Sequence, residues 1–221
     1  STINLKAAAI SLFLKEIIQL KDHKSFRTRM KTPKSLPEVY SLEEIGHIIS
    51  GVENSKHRAI LMLAYGGGLR LSEIQKLRIE DVQFDRKIIK IYRGKGAKDR
   101  QIMLDVNLAR LLQGLIPHNR QKGYIFTGAG GRAVLSRRTI SKIYENACKK
   151  ASIVPRGGIH LLRHSFVTHL LENGTDMRFI QELLGHANIN TTERYTHVAN
   201  NTISKIKSPL SLLDQSKLVG K

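Results

Sequence analysis

The sequence predicts a mainly α-helical chain with one small antiparallel β-sheet, an α+β fold, and three observations carry that prediction. Apolar residues recur at three- and four-residue steps over most of its length. One stretch, residues 81–104, switches to short β-branched runs around a glycine-rich turn. An apolar content of 41% over 221 residues is enough for one large core, with or without an appendage.

The first element is a helix over residues 3–20, where Leu5, Ala8, Ala9, Leu12, Phe13, Ile17 and Leu20 share a face. Its wide apolar stripe needs a partner, so residues 1–20 are expected to be the last helix of a domain whose remainder lies outside this sequence. Residues 21–37 form a basic tract with Pro33 and Pro37, residues that discourage helix at and before themselves. This reads as a linker, either solvated or tracking a charged backbone. A larger domain is expected over residues 38–221.

That domain opens with Ser41-Leu42-Glu43-Glu44, the pattern of a capping box. Residues 56–66 read as a buried helix ended by Gly66-Gly67-Gly68, and Leu71 to Leu77 as a further helix. Ile88 to Tyr92 and Arg100 to Leu104 read as strands, joined by the turn Gly94-Lys95-Gly96-Ala97-Lys98-Asp99. Helices follow at about 105–115, 137–150, 158–173, 176–184 and 190–197. Asn173-Gly174 is a stop between two of them and Thr175-Asp176 a restart.

Lysine and arginine number 37 against 18 acidic residues, a net charge of +19 and a pI near 10.3. Such an excess speaks of partners rather than of fold, and nucleic acid is the first candidate, because neutralising phosphates releases counterions. A membrane-surface protein would gather the charge on one amphipathic helix, whereas here it is spread along the chain. A single cysteine, Cys148, allows no internal disulfide and fits a reducing cytosol. No run approaches the length of a membrane span, and the first residues lack the layout of a signal peptide. A cytoplasmic, nucleoid-associated location is expected.

Five short pieces carry groups that suit phosphate. Arg70 follows three glycines at a helix entrance, where backbone and guanidinium can both approach an anion, and Glu73 stands one turn on, where it could hold that guanidinium. Lys95 and Lys98 sit on the hairpin turn, whose glycines lack the spacing of a nucleotide-binding P-loop. His160 and Arg163 project from one face of a helix. His164, four residues after His160, resembles half of a zinc helix, but the glutamate required beside the first histidine is a leucine, Leu161. His186 follows Gly185 at a helix end. A continuous helix from 186 to 195 would separate His186 from Tyr195 by about 13 Å, but Asn188 to Thr192 are residues that interrupt helices, so the chain can fold back. Tyrosine ionises near pH 10 in the absence of perturbation (about 10). To attack phosphorus at neutral pH it needs a base or a cationic surround.

In this order the pieces resemble the tyrosine recombinase (phage integrase) family: Gly-Leu-Arg-Leu-Ser-Glu from Gly68, Gly-Lys-Gly-x-Lys-Asp-Arg from Gly94, His-x-Leu-Arg-His-Ser-Phe-x-Thr-His-Leu from His160, Leu-Gly-His-Ala from Leu184, and Thr-Thr-x-x-Tyr-Thr-His-Val from Thr191. The likeness runs from about Leu36 to the C-terminus and is nearest to Xer-type and integron-type members. The resemblance implies that Tyr195 attacks the scissile phosphate to form a 3′-phosphotyrosyl link. It implies that Arg70, Arg163 and His186 hold the non-bridging oxygens, that His160 takes or steers the tyrosine proton, and that Glu73 supports the arginines. Lys95 would protonate the leaving 5′-oxygen, with Lys98 the second choice. It further implies no metal and no cofactor, double-stranded DNA with a specific recombination site as partner, and a homo-tetramer acting through a Holliday junction. A C-terminal tail from about residue 200 would dock on a neighbouring protomer or on its own domain. The other readings of the same residues are DNA relaxation of the type IB topoisomerase kind, and a DNA-binding module without chemistry.

Overall fold

The computed structural model describes residues 2–19, 39–92, 99–128, 131, 133–185, 208 and 211. The chain divides into two units, Ser1–Pro37 and Glu38–Lys221. In the first, α1 spans Thr2–Glu16. It ends earlier than the apolar spacing suggests, because Ile17 and Ile18 both turn back to the Phe13 carbonyl and Gln19 adopts a left-handed φ of 54°. Its Ile10, Leu12 and Phe13 are exposed. The basic tract predicted as a linker lies outside the described residues.

The second unit is the α+β fold. Helix α2 (Leu42–Ser50) starts from a complete capping box: Ser41 Oγ accepts from the Glu44 N–H at 3.1 Å, and Glu44 Oε2 accepts from the Ser41 N–H at 2.8 Å. Helix α3 (Ser55–Gly66) is the axis of the domain. Every residue from Ala59 to Gly66 is buried, as an element apolar on all sides must be, and α2, α4, α5, α6 and α7 all pack against it. The short α4 (Leu71–Lys76) follows, then a three-stranded antiparallel sheet of β1 (Val82–Gln83), β2 (Ile88–Ile91) and β3 (Arg100–Met103) in that order. In the β2–β3 register Ile88 faces Met103 and Ile91 faces Arg100. Strand β1 has no counterpart in the sequence-based reading, since two residues are too few to show an alternation.

Among the described residues three further helices carry side-chain caps. Asp105 caps α5 (Val106–Leu115), Ser136 caps α6 (Arg137–Lys150), and Asp176 caps α8 (Met177–Leu184), each through a side-chain oxygen that accepts from the first turn. Between them lies α7 (His160–Glu172), which ends at Asn173 and Gly174. The predicted helix at 190–197 falls outside the described residues.

Two glycines fix how α3 hands over to α4. A side chain on Gly68, whose φ is +59°, would place its Cβ 2.7 Å from the Phe166 ring, and one on Gly67 would lie 2.6 Å from Leu69 Cδ1. Only glycine lets the chain turn so tightly between α7 and the sheet. From the C-terminal tail, Ser208 is buried and its hydroxyl donates to the Gly66 carbonyl of its own chain at 2.9 Å. Among the described residues no helix is long and apolar enough to cross a membrane.

Candidate active site

Arg70 occupies the N-cap position of α4, directly after the glycine turn. Its backbone N–H donates to Glu73 Oε2 at 2.8 Å, and its Nη1 donates to Glu73 Oε1 at 3.0 Å. The Arg70 side chain is 42% exposed and that of Glu73 only 11%. The guanidinium therefore reaches the surface while its acidic partner stays below it.

Arg163 comes to the same carboxylate from beneath. It lies in the first turn of α7 with a side chain 10% exposed, and its Nη1 is 3.9 Å from Glu73 Oε2. The same Nη1 donates to the Gly68 carbonyl, and Nη2 donates to the Leu184 carbonyl at 3.1 Å. Arg163 thus ties the glycine turn to the last residue of α8.

A third guanidinium completes the cluster. Arg100, at the first position of β3, grips Glu73 with two parallel bonds, Nη1 to Oε1 at 2.8 Å and Nη2 to Oε2 at 2.7 Å. Such forked pairs are the strongest that arginine makes. Its Nε donates to the Leu183 carbonyl at 2.6 Å, and its side chain is only 3% exposed. Leu183 and Leu184 belong to the last turn of α8, where helix carbonyls lack intrahelical partners and the dipole favours cations. Two arginines satisfy these two neighbouring carbonyls, and Gly185, in the left-handed conformation at φ 59°, ends the helix beside them.

Burial alone would raise the Glu73 carboxyl, but the hydrogen bonds and charge of Arg100, and then the bonds from Arg70, outweigh it and hold the group down at about 2. Glu73 is accordingly ionised throughout the physiological range. Among the described residues three guanidinium groups surround the one carboxylate, so this cluster is net positive and can receive a further anion. Phosphate oxygens match the planar donor fork of Arg70, the most exposed of the three.

His160 is the first residue of α7, one turn from Arg163, and is exposed. Gly157, with φ +64°, and Gly158 precede it. A Cβ on Gly158 would lie 3.1 Å from the His160 ring, so the imidazole folds over a bare backbone. The turn is anchored by Arg156, which donates to the Val39 carbonyl at 3.1 Å, pairs with Glu44 and stacks 4.9 Å over the Tyr40 ring. His164 meets the His160 ring edge-on with centroids 5.7 Å apart. Burial, followed by the charges of His160 and Arg163, keeps its imidazole below the ordinary histidine range. Among the described residues no group of three or more His, Cys, Asp or Glu gathers as metal ligands.

The structure therefore brings together Arg70, Glu73 and Arg163, with His160 on the same helix as Arg163. Lys95, Lys98, His186 and Tyr195 lie outside the described residues. Sequence reasoning gave Arg100 no role. The available signal was its place as the arginine that closes the Gly-Lys-Gly-x-Lys-Asp-Arg piece and opens the strand.

Residues 39–202 match the phage integrase family. Tyrosine recombinase XerA of Pyrococcus horikoshii is 37% identical over 189 residues, covering 83% of this chain and 65% of the relative. The crystal structure of a XerA recombinase superposes with a TM-score of 0.63 at 30% identity, covering 97% of this chain and 72% of that one. The site-specific recombinase XerH, bound to its difH substrate in a pre-cleavage complex, superposes with a TM-score of 0.64 at 27% identity, covering 90% and 62%. The chain spans 65% and 59% of the lengths of the first two curated relatives it matches.

Proposed function

Since the chain belongs to the phage integrase family, the tyrosine recombinases, we propose that it is the catalytic part of a site-specific DNA recombinase that cleaves and rejoins strands through a 3′-phosphotyrosyl intermediate, with neither metal nor ATP. The observation that carries this reading is the convergence of Arg70 and Arg163, from separate parts of the sequence, on the carboxylate of Glu73.

In the proposed reaction Arg70 and Arg163, with His186, bind the non-bridging oxygens of the scissile phosphate. They stabilise the extra charge of the transition state, where fixed donors are most effective. The Tyr195 oxygen forms the new bond to phosphorus and gives its proton to His160. The bond to the 5′-oxygen breaks, and that oxygen takes a proton from Lys95. The phosphodiester energy is retained in the phosphotyrosine. A 5′-hydroxyl from a partner strand then reverses the same steps with the proton transfers exchanged. Double-stranded DNA carrying a specific site is the substrate, and a homo-tetramer on two duplexes is the working assembly. The net charge of +19 supports the DNA partner.

The test is a nicked suicide duplex carrying the native recombination site, on which the cut strand diffuses away and the covalent adduct accumulates. The chain forms an adduct resistant to denaturation, and Tyr195→Phe binds the duplex but forms none. An adduct with Tyr195→Phe removes Tyr195 as nucleophile. Relaxation of any supercoiled plasmid, irrespective of sequence, favours a topoisomerase instead.

A further inference from the structure

The buried arginine that the proposed chemistry does not use stands at the junction of three elements. Arg100 reaches Glu73 at the start of α4 with two bonds and the Leu183 carbonyl in the last turn of α8 with a third, all from the first residue of β3. All three bonds lie between 2.6 and 2.8 Å, and the side chain is 3% exposed. A guanidinium so enclosed cannot itself meet a DNA phosphate. It can fix what does. The Glu73 carboxylate that it grips also accepts from both the backbone and the side chain of Arg70. The helix end that it holds is the one whose last carbonyl is bound by Arg163.

We infer that Arg100 is a positioning residue: through Glu73 it sets the Arg70 guanidinium, and through Leu183 it sets the end of α8 against Arg163. This rests on the reading of the site as one for strand cleavage. The physical reason is that a carboxylate shared by three guanidiniums has its orientation decided by the strongest pair, and the forked Arg100 bonds are that pair. Remove it, and the Glu73 carboxylate loses its forked grip while Arg70 and the more distant Arg163 still draw on it. A displacement of the order of 1 Å in a group that must meet a transition state can cost about 10²-fold in rate.

The experiment compares Arg100→Met, Arg100→Lys, Arg70→Ala and the Arg100→Met/Arg70→Ala double variant on the suicide duplex, at saturating protein. Adduct rate, duplex Kd and thermal midpoint are measured for each. Arg100→Met is expected to slow adduct formation by about 10²-fold with duplex Kd within a few-fold of the unsubstituted chain. Arg100→Lys, which keeps the charge but not the fork, recovers part of the rate. The double variant loses clearly less than the product of the two single losses, because the part of the Arg100 effect that runs through Arg70 is already gone once Arg70 is replaced, and only the part that runs through α8 remains. Independent, multiplied losses in the double variant overturn the inference, as does a loss confined to Kd. So does a rate loss that vanishes when all variants are assayed at the same interval below their thermal midpoints. The crystal structure of Arg100→Met provides the arm that needs no activity: Arg70 and Glu73 in unchanged positions overturn the inference by themselves. An unsubstituted chain that forms no adduct refutes the functional reading instead, and leaves that crystallographic arm to decide the positioning role.

Discussion

Arg163 donates a hydrogen bond to the carbonyl of Gly68, two residues before Arg70, so one of the two arginines proposed to hold the phosphate holds the turn that presents the other. The two are consequently not equivalent. Arg163 is buried and satisfies two carbonyls as well as facing Glu73, whereas Arg70 is 42% exposed.

Arg163→Ala should therefore destabilise the fold as well as stop cleavage. It leaves the Gly68 and Leu184 carbonyls without this donor, at roughly 2–4 kcal/mol. That corresponds to a fall of several degrees in thermal midpoint, at about 2–4 °C per kcal/mol for a domain of this size. Arg70→Ala should slow cleavage to a small residual rate with a change in midpoint of no more than a few degrees. Thermal unfolding of the two variants, with adduct formation measured alongside, checks the contrast.

The Glu73 carboxyl gives a pH prediction. Its pKa is lower in the folded than in the unfolded chain, about 2 against an ordinary 4.5. Its contribution to stability is thus fully present above pH 4.5 and is lost as pH falls from there toward 2. The size is on the order of 3 kcal/mol. Glu73→Gln should be less stable at pH 7, and the difference from the unsubstituted chain should narrow on acidification through that window. Urea midpoints between pH 7 and pH 3 measure it.

Gly68→Ala should cost stability and rate together. The left-handed backbone costs on the order of 1 kcal/mol for a residue with a Cβ, and the contact of 2.7 Å with the Phe166 ring adds to it. Pairing it with Phe166→Leu should relieve the contact but not the backbone strain, so recovery of the thermal midpoint should be partial.

Lys95→Ala tests the proposed general acid. It should slow cleavage of an ordinary phosphodiester much more than cleavage of a duplex with sulfur at the 5′-bridging position, because a thiolate leaves without a proton. Equal slowing on both duplexes removes Lys95 from that role.

The α+β class and several helix boundaries of the larger unit could be read from the sequence, in part because capping residues mark them: Ser41 and Asp176 each stand at an N-cap. Strand β1 could not, being too short for any periodicity. The end of α1 could not either, since apolar residues continue past Glu16 while the backbone turns away at Gln19. At the site, the sequence singled out Arg70, Glu73, His160 and Arg163 as groups suited to phosphate and their support, and the structure brings Arg70, Glu73 and Arg163 together. Arg100 was not singled out, because its importance lies in partners on α4 and α8, and no local spacing reports a contact between residues so distant in sequence.

The shared carboxylate also governs when the site can exist. Arg70 and Glu73 are synthesised first of the group, Arg100 next, and Arg163 and the carbonyls of Leu183 and Leu184 last. Contacts of such long range form late, since the intervening chain must be ordered first. Until Leu184 has been made, the three guanidinium groups share no common frame, and a partly synthesised chain holds the pieces of the cluster in no fixed relation.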